Sequence, residues 1–153
     1  MTILELGDHI VRCLTRIRGT FDLGGITYEY VLWKDEQLDD LMDMVDAGAD
    51  ALVLVSNRLA EENEPDSLWF ENLNTLIEKL PKDLLLGFYE CPYPYKRILS
   101  DDIISKLVSI KQFGFIKDTC CSIDQIIRRA DIARNSNLKL FNANSATLLD
   151  SLR

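Results

Sequence analysis

An α/β fold built on a parallel sheet is predicted by three observations. From about Asp35 onward the chain alternates helix-like and strand-like segments with short connections, the pattern of successive βα units. The clearest strand-like run, Ala51 to Val55 (ALVLV), is continuously apolar, as a strand covered on both faces is. The first two helical segments after Asp35 are punctuated, one stopped by Gly48 and the next opened by Pro65 and ended by Pro81.

The first thirty-four residues are the hardest to place and are set apart as a separate segment, 1–34. Asp8 to Leu14 reads as a short helix capped by Asp8, Gly24-Gly25 as a turn, and Thr27 to Trp33 (TYEYVLW) as a strand that would be a fifth parallel one. Asp35 to Ala47 carries Leu38, Leu41, Met42 and Val45 at helical spacing and stops at Gly48. Asp66 to Leu80 is a helix opened by Pro65 and ended by Pro81, with Leu68, Trp69, Leu73, Leu76, Ile77 and Leu80 as its apolar stripe. Leu84 to Tyr89 is the next strand. A helix near Asp101 to Ile110, a strand at Phe113 to Lys117, a helix near Ser122 to Ala133, a strand at Leu138 to Phe141 and a helix from Asn144 or Ser145 complete the array.

Composition narrows the function. At 153 residues, 47% hydrophobic and 27% charged, the chain is an ordinary globular domain. Its net charge of −8 repels a polyanion and removes the counterion-release term that drives nucleic-acid binding. An anionic small molecule needs only a few local cations, and Lys96, Arg97 and Lys117 lie in the informative region. No run approaches the roughly 20 apolar residues needed to cross a bilayer, and the start, MTILELGDHI, lacks a signal-peptide pattern; a cytoplasmic protein is expected. Cys13, Cys91, Cys120 and Cys121 form no spaced metal signature and read as small hydrophobes or pocket-wall residues, so no metal is expected.

Chemistry is written at the C-terminal ends of two strands, where parallel sheets place ligands. Lys117 ends the apolar run of Phe113, Phe115 and Ile116; a neutral amine held there is a nucleophile towards a ketone. Asp118, adjacent to it, is expected to point away. Tyr89 ends the preceding strand, and consecutive parallel strands usually pair, which would set a phenol beside the amine to carry protons. The turn that follows, CPYPYKR, is stiffened by Pro92 and Pro94.

These two stretches, Gly87-Phe88-Tyr89-Glu90-Cys91-Pro92 and Gly114-Phe115-Ile116-Lys117-Asp118-Thr119, spaced 28 residues from Tyr to Lys, resemble the dihydrodipicolinate synthase and N-acetylneuraminate lyase superfamily. Its (β/α)8-barrel enzymes show an apolar strand ending in Tyr, two residues and Pro, and one strand later a Gly-Ile-Lys type strand ending in the Schiff-base lysine. Ala47 to Val55 and Leu138 to Leu149 resemble the passage into the fourth strand and the seventh strand with its loop. The resemblance implies that residues 35–153 are part of a (β/α)8 TIM barrel, about strands three to seven. It also implies a lyase or aldolase in which Lys117 and Tyr89 are catalytic, Asn142 and Arg97 bind substrate, and a 2-oxo acid such as pyruvate forms a lysine Schiff base without an organic cofactor.

The chain also departs from the family. No Gly-Thr-Thr-type loop precedes Asp35, Ser56-Asn57-Arg58-Leu59 stands where Pro-Tyr-Tyr is usual, and Pro94 occupies the position of the synthase's substrate-binding arginine. A truncated or degenerate relative without activity is therefore the alternative. A flavodoxin-like module would need a phosphate-binding Gly-rich loop after a strand, and none is present. A barrel fragment leaves open strand edges and a bare sheet face, so self-association into a homo-oligomer is expected.

Overall fold

The structure, a computed structural model, describes residues 2–6, 9–13, 20–23, 26–29 and 35–151, with side chains from 38 to 150. Two hairpins come first. Strand β1 (Thr2–Leu6) pairs antiparallel with β2 (His9–Cys13), and β3 (Thr20–Leu23) with β4 (Ile26–Glu29). The helix expected over 8–14 is thus a strand: β-branched Ile10 and Val11 lose rotamer freedom in a helix and suit extended backbone. The expected parallel strand over 27–33 is, as far as Glu29, antiparallel; Gly24-Gly25 between the two strands suits a tight hairpin. Residues 30–33 of that expectation lie outside the described residues.

Helix α1 (Asp35–Asp46) stops where Gly48 takes φ +84, the left-handed conformation that closes helices at little cost to glycine. Strand β5 (Ala51–Val55) follows, then a single helical turn at Ser56–Arg58 and helix α2 (Asp66–Lys79), which begins directly after Pro65. Strand β6 (Leu85–Tyr89) leads to α3 (Asp101–Leu107), whose first turn is capped by the Ser100 hydroxyl accepting from the Ile103 amide. Strand β7 (Phe113–Asp118) leads to α4 (Ile123–Ala133), capped in the same way by Ser122. Strand β8 (Lys139–Asn142), a turn at Ser145–Thr147 and the short α5 (Leu148–Ser151) end the described chain.

Strands β5 to β8 form one parallel sheet in chain order, as the alternation predicts. Its register divides the side chains by face. Leu54, Phe88, Ile116 and Leu140 stand level across the sheet on the face that the helices cover. There they meet Trp69, Leu73 and Leu76 of α2 and Ile103, Ile104 and Leu107 of α3 in one buried core, with Phe88 5.2 Å from both Trp69 and Phe113 between ring centroids. Burying a large side chain of this kind is worth about 1.5–3 kcal/mol, so this face holds the helices to the sheet.

The other face carries Val55, Tyr89, Lys117 and Phe141 in one row, and Val53, Gly87, Phe115 and Lys139 in the row before it. No helix covers it among the described residues. Leu85 is 42% exposed and Phe141 58% exposed, both large apolar side chains.

Candidate active site

Tyr89 and Lys117 are direct neighbours across the β6–β7 ladder, each the last residue of its strand on the open face. The Lys117 ammonium nitrogen lies over the Tyr89 ring, 4.2 Å from its centroid, within the range of a cation–π contact. Both side chains are half-buried. Sequence spacing alone anticipated this pair, because parallel strands joined by a crossover are usually adjacent.

Room for the pair is made one row back. A Cβ on Gly87 would lie 2.1 Å from the Phe115 ring, so the ring rests where any other residue would carry a side chain. Phe115 in turn meets Phe141 edge-on, with centroids 6.5 Å apart. The floor below Lys117 and Tyr89 is therefore aromatic.

Behind the pair the chemistry inverts. Glu90 and Asp118 each follow a residue of the pair, so strand alternation turns them towards the helices. Both are buried, 0% and 1% exposed, and both are held by Arg129 of α4, itself 0% exposed. Arg129 Nη2 donates to Glu90 Oε1 at 2.8 Å, Nη1 donates to Asp118 Oδ2, and Nη2 also donates to the Leu99 carbonyl. Burial by itself would lower the guanidinium, but Glu90 and then Asp118 more than offset it and hold Arg129 above its ordinary value. Removing one partner of such a buried pair typically costs about 3–5 kcal/mol, because a bare charge is left behind. Asp118 thus points away from Lys117, as expected.

The loop after β6 is anchored separately. Asn57 is fully buried, and its amide nitrogen faces the carbonyls of Cys91, Tyr93 and Tyr95 at 3.0, 2.9 and 2.5 Å. The Tyr95 hydroxyl bonds the carbonyls of Asn57 and Ala60 at 2.8 and 2.5 Å, and the Ser56 hydroxyl donates to the Arg97 carbonyl at 2.7 Å. The Tyr93–Pro94 peptide bond is cis.

Of the four residues expected in the site, the structure brings together two. Arg97 is drawn into the protein instead: it donates to the carbonyls of Glu61 and Glu64 and pairs with Asp66 at 2.9 Å, which pins the loop before α2. Five donors on a rigid fork suit such multiple carbonyl contacts. Asn142 stands level with Asp118, not Lys117, and so on the opposite face; its amide donates to Thr147 Oγ1 and its oxygen accepts from the Asn144 amide. Lys96, the remaining cation of this region, is exposed and donates to the Thr119 carbonyl, with Cys121 Sγ 3.8 Å away.

Sequence reasoning missed Arg129. The signal was present: two carboxylates that must face an apolar layer require a cation there, and Arg129 lies on the same stripe of α4 as Ile126 and Ala133.

Among the described residues no helix is long and apolar enough to cross a membrane, and no three His, Cys, Asp or Glu side chains are grouped to hold a metal ion. No family model matches the chain, and no curated protein matches it. Solved structures do. Dihydrodipicolinate synthase from Thermotoga maritima is 16% identical with a TM-score of 0.62, over 77% of this chain and 40% of that one. The 2-keto 3-deoxygluconate aldolase from Picrophilus torridus is 16% identical with a TM-score of 0.63, over 77% and 41%. A prophage protein of the dihydrodipicolinic acid synthase family from E. coli K12, solved in complex with pyruvate, is 17% identical with a TM-score of 0.62, over 77% and 39%. This chain thus has the fold of part of a dihydrodipicolinate synthase-type TIM barrel, of which it spans about two fifths.

Proposed function

We propose that this chain carries the amine half of a Schiff-base aldolase site, in which Lys117 forms an imine with a 2-oxo acid such as pyruvate and Tyr89 relays protons. The observation that carries this reading is the register pairing of Tyr89 with Lys117, amine over ring at 4.2 Å, at the mouth of a parallel sheet. The neighbouring fold contributes aldolases and a pyruvate complex among its solved members.

The chemistry follows from the two groups. The lone pair of the neutral amine attacks the ketone carbon, and the carbonyl oxygen takes a proton to give a carbinolamine. The nitrogen then loses a proton, the hydroxyl gains one and leaves as water, and an iminium remains. In this reading the phenol of Tyr89, the neighbour of Lys117 across the ladder, gives and receives those protons. The iminium is again a cation under the same ring face, so the aromatic contact serves the intermediate as well as the resting amine. It accepts the electron pair of the bond between the α and β carbons, which breaks as the β-hydroxyl gives up its proton and becomes a carbonyl and an enamine is left on the lysine, and this is the step an aldolase needs.

The second reading, an inactive relative, is favoured by one specific observation: neither Arg97 nor Asn142 faces Lys117, and both are engaged elsewhere. Incubation with pyruvate and borohydride separates the two. Hydride delivered to the iminium carbon leaves a stable secondary amine, and peptide mapping is expected to place it at Lys117. Lys117→Ala is expected to abolish the adduct, and Tyr89→Phe to slow its formation by about 10²- to 10⁴-fold. Label spread evenly over Lys79, Lys111 and Lys117 would favour the inactive relative.

A further inference from the structure

An imine-forming amine and its proton carrier must stand in one fixed relation, and the strands alone do not secure it. Tyr89 and Lys117 sit at the last paired positions of β6 and β7; a single backbone bond, from the Glu90 amide to the Lys117 carbonyl at 3.3 Å, lies beyond them before β6 gives way to its loop. Strand ends without further ties move independently.

The tie lies on the other face. Glu90 and Asp118, one peptide beyond Tyr89 and Lys117, are gripped by the two nitrogens of a single guanidinium. The same knot continues into both loops. Glu90 accepts from the amides of Leu99 and Thr119, each at 2.9 Å, the Thr119 hydroxyl donates to the Glu90 carbonyl at 2.7 Å, and Asp118 Oδ1 accepts from the Cys120 amide at 2.8 Å. A shift of either strand end would carry its carboxylate away from Arg129, and would carry the preceding side chain with it.

We propose that Arg129 is a positioning residue that clamps the ends of β6 and β7 from behind and so fixes Tyr89 against Lys117. Its consequence for turnover rests on the Schiff-base reading; its geometric content does not. The planar fork is what matters, since it holds two carboxylates at set angles, whereas an ammonium supplies the same charge from one flexible point. Charge and geometry are therefore separable in Arg129→Lys.

Reductive dimethylation of the full chain with ¹³C-formaldehyde gives each lysine an NMR signal, and Lys117→Arg identifies the one belonging to Lys117. The Tyr89 ring is expected to displace that signal upfield of the other lysines, and Tyr89→Leu to remove the displacement. In Arg129→Lys with unchanged circular dichroism, the displacement is expected to collapse. A folded Arg129→Lys in which it persists overturns the proposal. If Arg129→Lys does not fold, Asp118→Asn decides: it keeps the side-chain shape and releases one arm of the fork, and an undiminished displacement there overturns the proposal equally.

Pyruvate trapping on the same variants reads the consequence. The adduct is expected to form about 10- to 100-fold more slowly at saturating pyruvate, with the half-saturating concentration changed by less than about threefold. A displaced Lys117 signal in a wild-type chain that never traps pyruvate would end the Schiff-base reading and leave the clamp standing. Trapping at the wild-type rate with an unmoved signal in the folded variant would do the reverse.

Discussion

Cys120 and Cys121 are adjacent in the chain and differ in almost every physical respect. Cys120 is half-buried; burial, and after it Asp118, pushes its thiol up to about 11 from an ordinary 9.0. Cys121 is exposed, at φ +62, with its sulfur 3.2 Å from the Thr119 carbonyl. A raised thiol stays protonated and unreactive where an ordinary one begins to ionise. Iodoacetamide at about pH 8 is expected to alkylate Cys121 first and leave Cys120 largely unmodified, and Cys120 should become reactive only as the pH climbs towards its raised value. Mass spectrometry of the digested protein checks this, and equal rates at the two positions would contradict it. The same contrast between neighbours governs the site itself. Lys117 and Asp118 differ by one position and face opposite sides of the sheet, which is why the carboxylate pairs with Arg129 behind the sheet while the amine lies over Tyr89 in front of it.

At the scale of elements, the strand pattern was legible and the faces were only partly so. The four strand-like runs became four parallel strands in order, because each is short, rich in apolar residues and followed by a segment of helical spacing, and β5 matches its expected bounds. Tyr89 and Lys117 were legible for the same reason, as strand-end polar groups one crossover apart. Asn142 was not, since its face depends on a register that one residue reverses. Arg97 was not, because its partners, Glu61, Glu64 and Asp66, belong to a loop whose path only tertiary packing sets. The N-terminal hairpins were misread because short runs such as His9–Cys13 fit either period. Gly87 shows what an element tolerates. Gly87→Ala places a methyl group at the Phe115 ring, and the ring, half-buried on the open face, has to shift. Overpacking generally costs about 1–3 kcal/mol, and the lower end is expected here, measured as a shift of the urea midpoint with an unchanged slope. The larger effect is expected on Lys117, whose aromatic floor is displaced.

For the whole molecule, the asymmetry of the sheet is the dominant fact. One face is closed by α1 to α4, and the other presents Leu85 and Phe141 to solvent. The solved barrels that share this fold are about two and a half times as long as the part this chain matches, and an exposed apolar sheet face of this kind is a surface that seeks cover. Self-association of the chain through this face is expected, with sedimentation velocity showing species larger than one chain and Phe141→Asp shifting them towards the monomer. A single monomeric boundary at every concentration would refute it.

The loop that follows Tyr89 behaves differently from that open face. Asn57 meets three of its carbonyls, and the Tyr95 hydroxyl returns two bonds to the turn after β5. A segment tied at so many points does not breathe piecemeal; it comes loose only together with the strand end that holds it. On the Schiff-base reading, the wall beside Tyr89 would stand still while a small molecule arrives, reacts and departs. Discrimination on that side would then be made by a rigid template that a guest either fits or does not, with no closure to reward a partial match.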